Sequence, residues 1–287
     1  MNHKTVFFFV SLCWLFCACG QKKPDNERPV SKTEVLSNSN GTGSTIASRF
    51  SPPEDFARIP TDSASFARYL RNLPLKPEGS LVSYYNGAIK PNKGIYEAVV
   101  DLPIGNRDLH QCADAVIHLR ANYLYQNRRY DSIHFKFTNG FEADYADWRK
   151  GKRIAVNGNQ VTWKQTSQAS DSPSNFWKYL EMVFSYAGTA SLEKEMQSVA
   201  LKNMRVGDVF IKGGFPGHAV IVVDMAIDIS TNEKVFLLAQ SYMPAQELQI
   251  LTNPNNAYLT PWYSLSEISN SLRTPEWTFS KTDLRRF

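Results

Sequence analysis

The sequence predicts an α+β fold, one domain in which helices pack on an antiparallel sheet, and three observations carry that expectation. Val206 to Asp224, reading VGDVFIKGGFPGHAVIVVD, sets a short apolar strand (Val209 to Ile211), a glycine-rich loop (Gly213, Gly214, Pro216, Gly217) and a β-branched strand (Ala219 to Val223) in succession. Leu109, Cys112, Val116, Leu119 and Tyr123 recur at three- and four-residue steps, the period of a helix with a buried face. Asn86-Gly87 and Asn157-Gly158 sit between strand-like runs, where a tight hairpin turn needs residues that accept positive φ.

A chain of 287 residues with 43% hydrophobic content can bury a sizeable core. Its formal charge of +5 is modest, and the basic residues are dispersed among 27 acidic ones, which argues against a nucleic-acid partner. The chain opens with one Lys and an apolar run from Val6 to Ala18, too short to span a bilayer and of the length of an export signal. Phe16-Cys17-Ala18-Cys19-Gly20 resembles a bacterial lipoprotein signal. That resemblance implies cleavage after residue 18 and lipidation of Cys19, with Cys17 as a competing acceptor and a plain secretory signal as the alternative. Export to the cell envelope and attachment to a membrane through the lipid are the corresponding expectations.

Residues 19–51 are rich in Ser, Asn, Lys, Gly and Thr and lack apolar periodicity, the composition of a disordered tether. The folded domain is expected over 52–287. Within it, Asp62 or Ser63 is expected to cap a helix through Leu73, followed by a hairpin at Asn86-Gly87 and a strand from Ile95 to Leu102. Asp108 with Gln111 reads as a variant capping box that starts the helix of Cys112. Strands are expected over Ser132 to Thr138 and Ile154 to Trp163, and helices over Asn175 to Ala187 and Ser191 to Lys202. Lys234 to Ala239 pairs with the strand of His218 across a turn near 230–232, and the tail carries a short helix near Leu265 to Leu272.

With Cys13 and Cys17 removed and Cys19 acylated, Cys112 is left as the one free thiol, either a small buried apolar residue or a reactive one. A helix N-terminus favours a thiolate through its unpaired N–H groups and dipole, and an imidazolium nearby favours it further. His218, at the mouth of a tight loop and the start of a rigid strand, is placed for acid–base work. The next strand ends in Gln240, whose amide can orient the imidazole; Ser241 and Asp224 are the weaker alternatives, the first on the opposite strand face and the second at the far end of the strand. Asp208 reads as a turn residue that binds backbone amides. No cofactor is expected. His110 and Cys112 do not share a helical face, so they make no zinc pair, and no glycine-rich phosphate loop joins a strand to a helix. The scattered tryptophans read as core before glycan platform.

Gln111-Cys112-Ala113-Asp114 on a helix, Gly207-Asp208-Val209-Phe210 and Gly217-His218-Ala219-Val220-Ile221-Val222 together resemble the NlpC-type and CHAP-type papain-like cell-wall hydrolases. The chain as a whole, with PGHAVIVVD and LAQSYMPAQE, looks like a family of exported lipoproteins known as a domain of unknown function. The hydrolase resemblance implies a papain-like core that cleaves an amide in peptidoglycan peptides, with Cys112 as nucleophile, His218 as base and acid, and Gln240 as orienter. The setting of Cys112 departs from those families, and the long gap from Cys112 to His218 requires an inserted segment. The competing expectation is a non-catalytic surface lipoprotein that binds peptide or glycan with the same fold.

Overall fold

The computed structural model describes residues 42–92 and 94–287; the signal stretch 1–18, Cys19 and most of the expected tether lie outside the described residues. In chain order the elements are α1 (Ile46–Arg49), β1 (Phe56–Arg58), α2 (Phe66–Arg71), β2 (Tyr96–Val99), α3 (Cys112–Gln126), β3 (His134–Lys136), β4 (Glu142–Asp144), α4 (Tyr145–Arg149), β5 (Lys152–Asn157), β6 (Gln160–Gln165), α5 (Pro173–Tyr186), α6 (Thr189–Glu195) and β7 (Gln197–Ser198). There follow β8 (Val209–Lys212), β9 (His218–Asp228), β10 (Lys234–Gln240), β11 (Gln249–Leu251), β12 (Tyr263–Ser264), β13 (Ser271–Arg273), β14 (Thr278–Ser280) and β15 (Leu284–Arg286).

The architecture is mixed helix and strand around a large antiparallel sheet. Its order is β2-β11-β10-β9-β8-β15-β7, with β1 paired to β9 and β12 to β10. The β-branched run from His218 makes β9 the longest strand, buried along nearly its whole length. Burial on both faces follows from alternation. Ala219, Ile221 and Val223 meet the core that holds α3, whereas Val220, Val222 and Met225 meet a second core of Phe210, Phe236 and the C-terminal segment. A register shift between Leu237 and Leu238 lets β10 continue along β9 past one extra residue.

α3 is the central helix. Buried positions occur on all sides of it, and Ala113, Ala115 and Ala121 let neighbouring elements approach closely. It begins one turn later than Asp108 suggested. Gln111 is the residue before the first turn, and its N–H donates to Asp114 Oδ2 at 3.1 Å. Asp108 ties the approach instead, accepting from Gln111 Nε2 at 3.1 Å and from the Ala245 N–H at 2.7 Å.

Several expectations shift. Ile46 and Phe50, within the stretch read as tether, are fully buried in the main core, so ordered structure starts ahead of residue 52. α2 is capped by Ser65 Oγ, which accepts from the Arg68 N–H, and starts later than Asp62 or Ser63 would set it. Asn86-Gly87 forms a tight turn, but its flanks make only isolated bridges. Residues 191–202 break after Glu195 into β7 and a 3-10 turn, and residues 265–272 hold no helix: Leu272 enters β13, which pairs with β14. No helix among the described residues is long and apolar enough to cross a membrane.

Candidate active site

Cys112 is the first residue of α3, and α3 lies against β9. Its thiol is buried at 8% exposure and is met by the backbone N–H of Ala219, the residue after His218. Burial, and then the charge of Asp114 on the same turn, push the thiol up to about 11; the N–H groups of Ala219, Ala113 and Cys112 itself pull the other way. The N–H groups of Ala219 and of the helix start favour the thiolate, but desolvation outweighs them.

His218 opens β9 and is 1% exposed. Its Nε2 is bonded to Gln240 Oε1 at 2.8 Å. The rings of Tyr242, Trp277 and Phe279 surround the imidazole at centroid distances of 4.6, 5.4 and 5.8 Å. Burial, aided by the charge of Lys90, lowers it to about 4, while the Gln240 bond works in the opposite sense. At neutral pH both side chains rest uncharged. Among the described residues no hydrogen bond joins Cys112 to His218; the thiol is brought to the main chain beside the imidazole, and Gln240 is brought directly onto it.

Gln240 is held in turn. Its Nε2 donates to Glu276 Oε2 at 2.5 Å, and the same carboxylate oxygen accepts from Lys90 Nζ at 2.8 Å. Neither Lys90 nor Glu276 was singled out from sequence, since both come from loops far from the motif. The alternatives to Gln240 serve the scaffold. Ser241 Oγ lies within hydrogen-bond distance of the carbonyls of His110 and Gln246, which share its one proton, and Asp224 is fully buried between Arg58 and Arg71. Asp208 accepts from the Arg205 N–H at 2.8 Å, as its turn role requires, and also binds Arg286 through both oxygens.

A cavity of about 470 Å³ opens beside Cys112 between the start of α3, the joint of α5 and α6, and the glycine loop. Cys112, Asp114 and Gly217 are on its wall; His218 is behind Gly217 and is not. Phe215, 92% exposed, and Met243, 54% exposed, form its apolar rim. The protein's own α6 packs against the glycine loop before His218. A Cβ on Gly217 would meet Thr189 Oγ1 at 2.3 Å, and one on Gly213 would meet Glu193 Oε2 at 2.4 Å.

A buried histidine pair was not foreseen from the sequence. His110 Nε2 and His118 Nδ1 are 3.1 Å apart, buried against Phe184 and Trp177. The four-residue steps from His110 through Asp114 to His118 were the available signal. Trp148 and Trp262 are core residues. Among the described residues no group of three or more His, Cys, Asp or Glu gathers in a way that could hold a metal ion.

Over residues 46–286 the chain matches the family described as Domain of unknown function (4846). No curated protein and no solved structure matches it.

Proposed function

We propose that this chain, which belongs to the Domain of unknown function (4846) family, is an exported cysteine hydrolase with a papain-like core that cleaves an amide bond in peptidoglycan peptides. The observation that carries the reading is the placement of Cys112 at the head of a buried helix, on a cavity wall, against the residue next to a histidine that Gln240 holds at 2.8 Å. In this scheme Cys112 is the nucleophile, His218 the base and acid, and Gln240 the orienter.

As the substrate carbonyl enters the cavity, His218 takes the thiol proton through Nδ1 and the sulfur attacks the carbonyl carbon. The electron pair of the C=O moves to oxygen, and N–H groups at the start of α3 steady the resulting oxyanion. Collapse restores the carbonyl and breaks the C–N bond, and the amine leaves with the proton from His218. Water then releases the acid and regenerates the thiol. Because the pair rests neutral, the proton moves as the S–C bond forms rather than beforehand.

The test is digestion of purified peptidoglycan with the chain, with its Cys112→Ala and His218→Ala variants in parallel, read by mass spectrometry of the released peptides. New amine and acid ends are expected from the wild type alone. The competing reading, a non-catalytic surface lipoprotein for peptide or glycan, is favoured by the thiol held up at about 11. It prevails if no bond is cut and peptide or glycan is nonetheless retained. Lipid attachment at Cys19 is part of the proposal: an alkyne fatty acid fed to producing cells is expected to label the wild type and not Cys19→Ser.

A further inference from the structure

Lys90 is 3% exposed, and a cation so far from water needs a partner. Its partner is Glu276, at 2.8 Å. The oxygen that takes the lysine also takes Gln240 Nε2 at 2.5 Å. Two well-packed apolar residues would fill the same volume without the desolvation that a buried ion pair costs, so packing alone does not account for the pair.

Donor and acceptor logic gives it a use. An ionised carboxylate can only accept, so Gln240 must turn its NH₂ toward Glu276. Its carbonyl oxygen then faces His218, and a carbonyl oxygen also can only accept. His218 Nε2 must therefore carry the ring proton, which leaves the Nδ1 lone pair unprotonated. Cation, carboxylate, amide and imidazole form one continuous chain of hydrogen bonds, while Tyr242, Trp277 and Phe279 surround the ring and Lys90 lies 5.8 Å from the Tyr242 centroid.

We infer that Glu276, anchored by Lys90, is a positioning residue that fixes the Gln240 amide and through it the Nε2–H tautomer of His218. What this does for catalysis rests on the hydrolase reading; the tautomer itself rests only on the contacts above.

The test uses the full chain labelled with ¹⁵N-histidine, with His218 assigned by its loss in His218→Gln. Long-range ¹⁵N–¹H spectra at neutral pH are expected to show His218 as the Nε2–H tautomer. Glu276→Gln replaces an obligate acceptor by a group that can also donate, so a mixture containing the Nδ1–H form is expected, whereas Lys90→Arg keeps the cation and the single tautomer. In parallel, alkylation of Cys112 by iodoacetamide is expected to slow severalfold in Glu276→Gln and to stay at the wild-type rate in Lys90→Arg. A wild-type His218 protonated at Nδ1 overturns the inference, and needs no substitution of Glu276 or Lys90 to do so. An unchanged tautomer in folded Glu276→Gln also overturns it. If His218→Ala leaves the alkylation rate unchanged, the hydrolase reading fails by itself, while a tautomer that relaxes in Glu276→Gln still upholds the inference.

Discussion

At the residue scale, the buried histidines make stability depend on acidity. His110 and His218 are each lowered to about 4 by burial, and His118 is lowered well below its ordinary value by burial and by His110. Between about pH 6.5 and 4 the unfolded chain takes up these protons and the folded chain does not, so their contribution is present above that window and is lost as the pH falls. Asp114 works in the reverse sense: burial raises it well above 3.8, so the folded state keeps a proton that the unfolded state has shed, and its contribution weakens with rising pH. His118→Gln removes one imidazole without touching the proposed site. Urea unfolding across that window is expected to show a shallower loss of stability on acidification than in the wild type. Equal slopes would mean that His118 takes its proton in the fold. Asp224 is a second test at this scale. It accepts from Arg58, Arg71 and the Met225 N–H, and Arg71 is buried with it. Asp224→Ala strands that arginine and is expected to cost about 3–5 kcal/mol in a denaturant titration.

At the element scale, the turn before β8 shows how the chain enters its central strands. Gly207 has φ +96°, and a Cβ there would meet the Phe66 ring of α2 at 2.9 Å. Gly207→Ala is expected to lower stability by about 1–3 kcal/mol through strain in that region of φ, with the clash adding to it. A thermal melt against Gly214→Ala checks this, since at Gly214 φ is +138° but the nearest atom is farther, at 3.4 Å. The motif around this turn was legible because it is local. Two-residue alternation put Gln240 on one strand face, and it bonds His218 on the neighbouring strand; the three- and four-residue steps put Cys112 on the buried face of a helix, whose start is at Gln111 and not at Asp108. Lys90 and Glu276 were not legible, since Glu276 meets Gln240 across 36 residues of chain and Lys90 meets Glu276 across 186, and neither belongs to a periodic run. The tail was misread for a related reason. β13 and β14 have three residues each, too few to show a period, and Leu272 and Phe279 are set by the sheet face they cover.

At the scale of the whole molecule, the two ends of the described chain close the same sheet. The N-terminal part brings Arg58 and Arg71 to Asp224 in β9, and the C-terminal β15 lies between β8 and β7. β15 does more than cover an edge. Leu284 is fully buried in the second core, and Arg286 grips Asp208, the residue that fixes the turn into β8. Removing residues 284–287 loses the burial of one leucine, about 2 kcal/mol. It also loses two ion pairs, Arg286 with Asp208, whose arginine is about a third exposed, and Arg285 with Glu193, each contributing about 1 kcal/mol or less once solvent screening is counted. The cut leaves β8 with a bare edge, a template for pairing with another copy. Truncation after Asp283 is therefore expected to lower the midpoint of urea unfolding and to shift part of the protein to larger species in light scattering. Arg286→Ala alone should show the smaller stability loss without the association. If the truncated chain melts like the wild type and stays monodisperse, β15 is an ornament of the sheet and the site next to β8 stands without it.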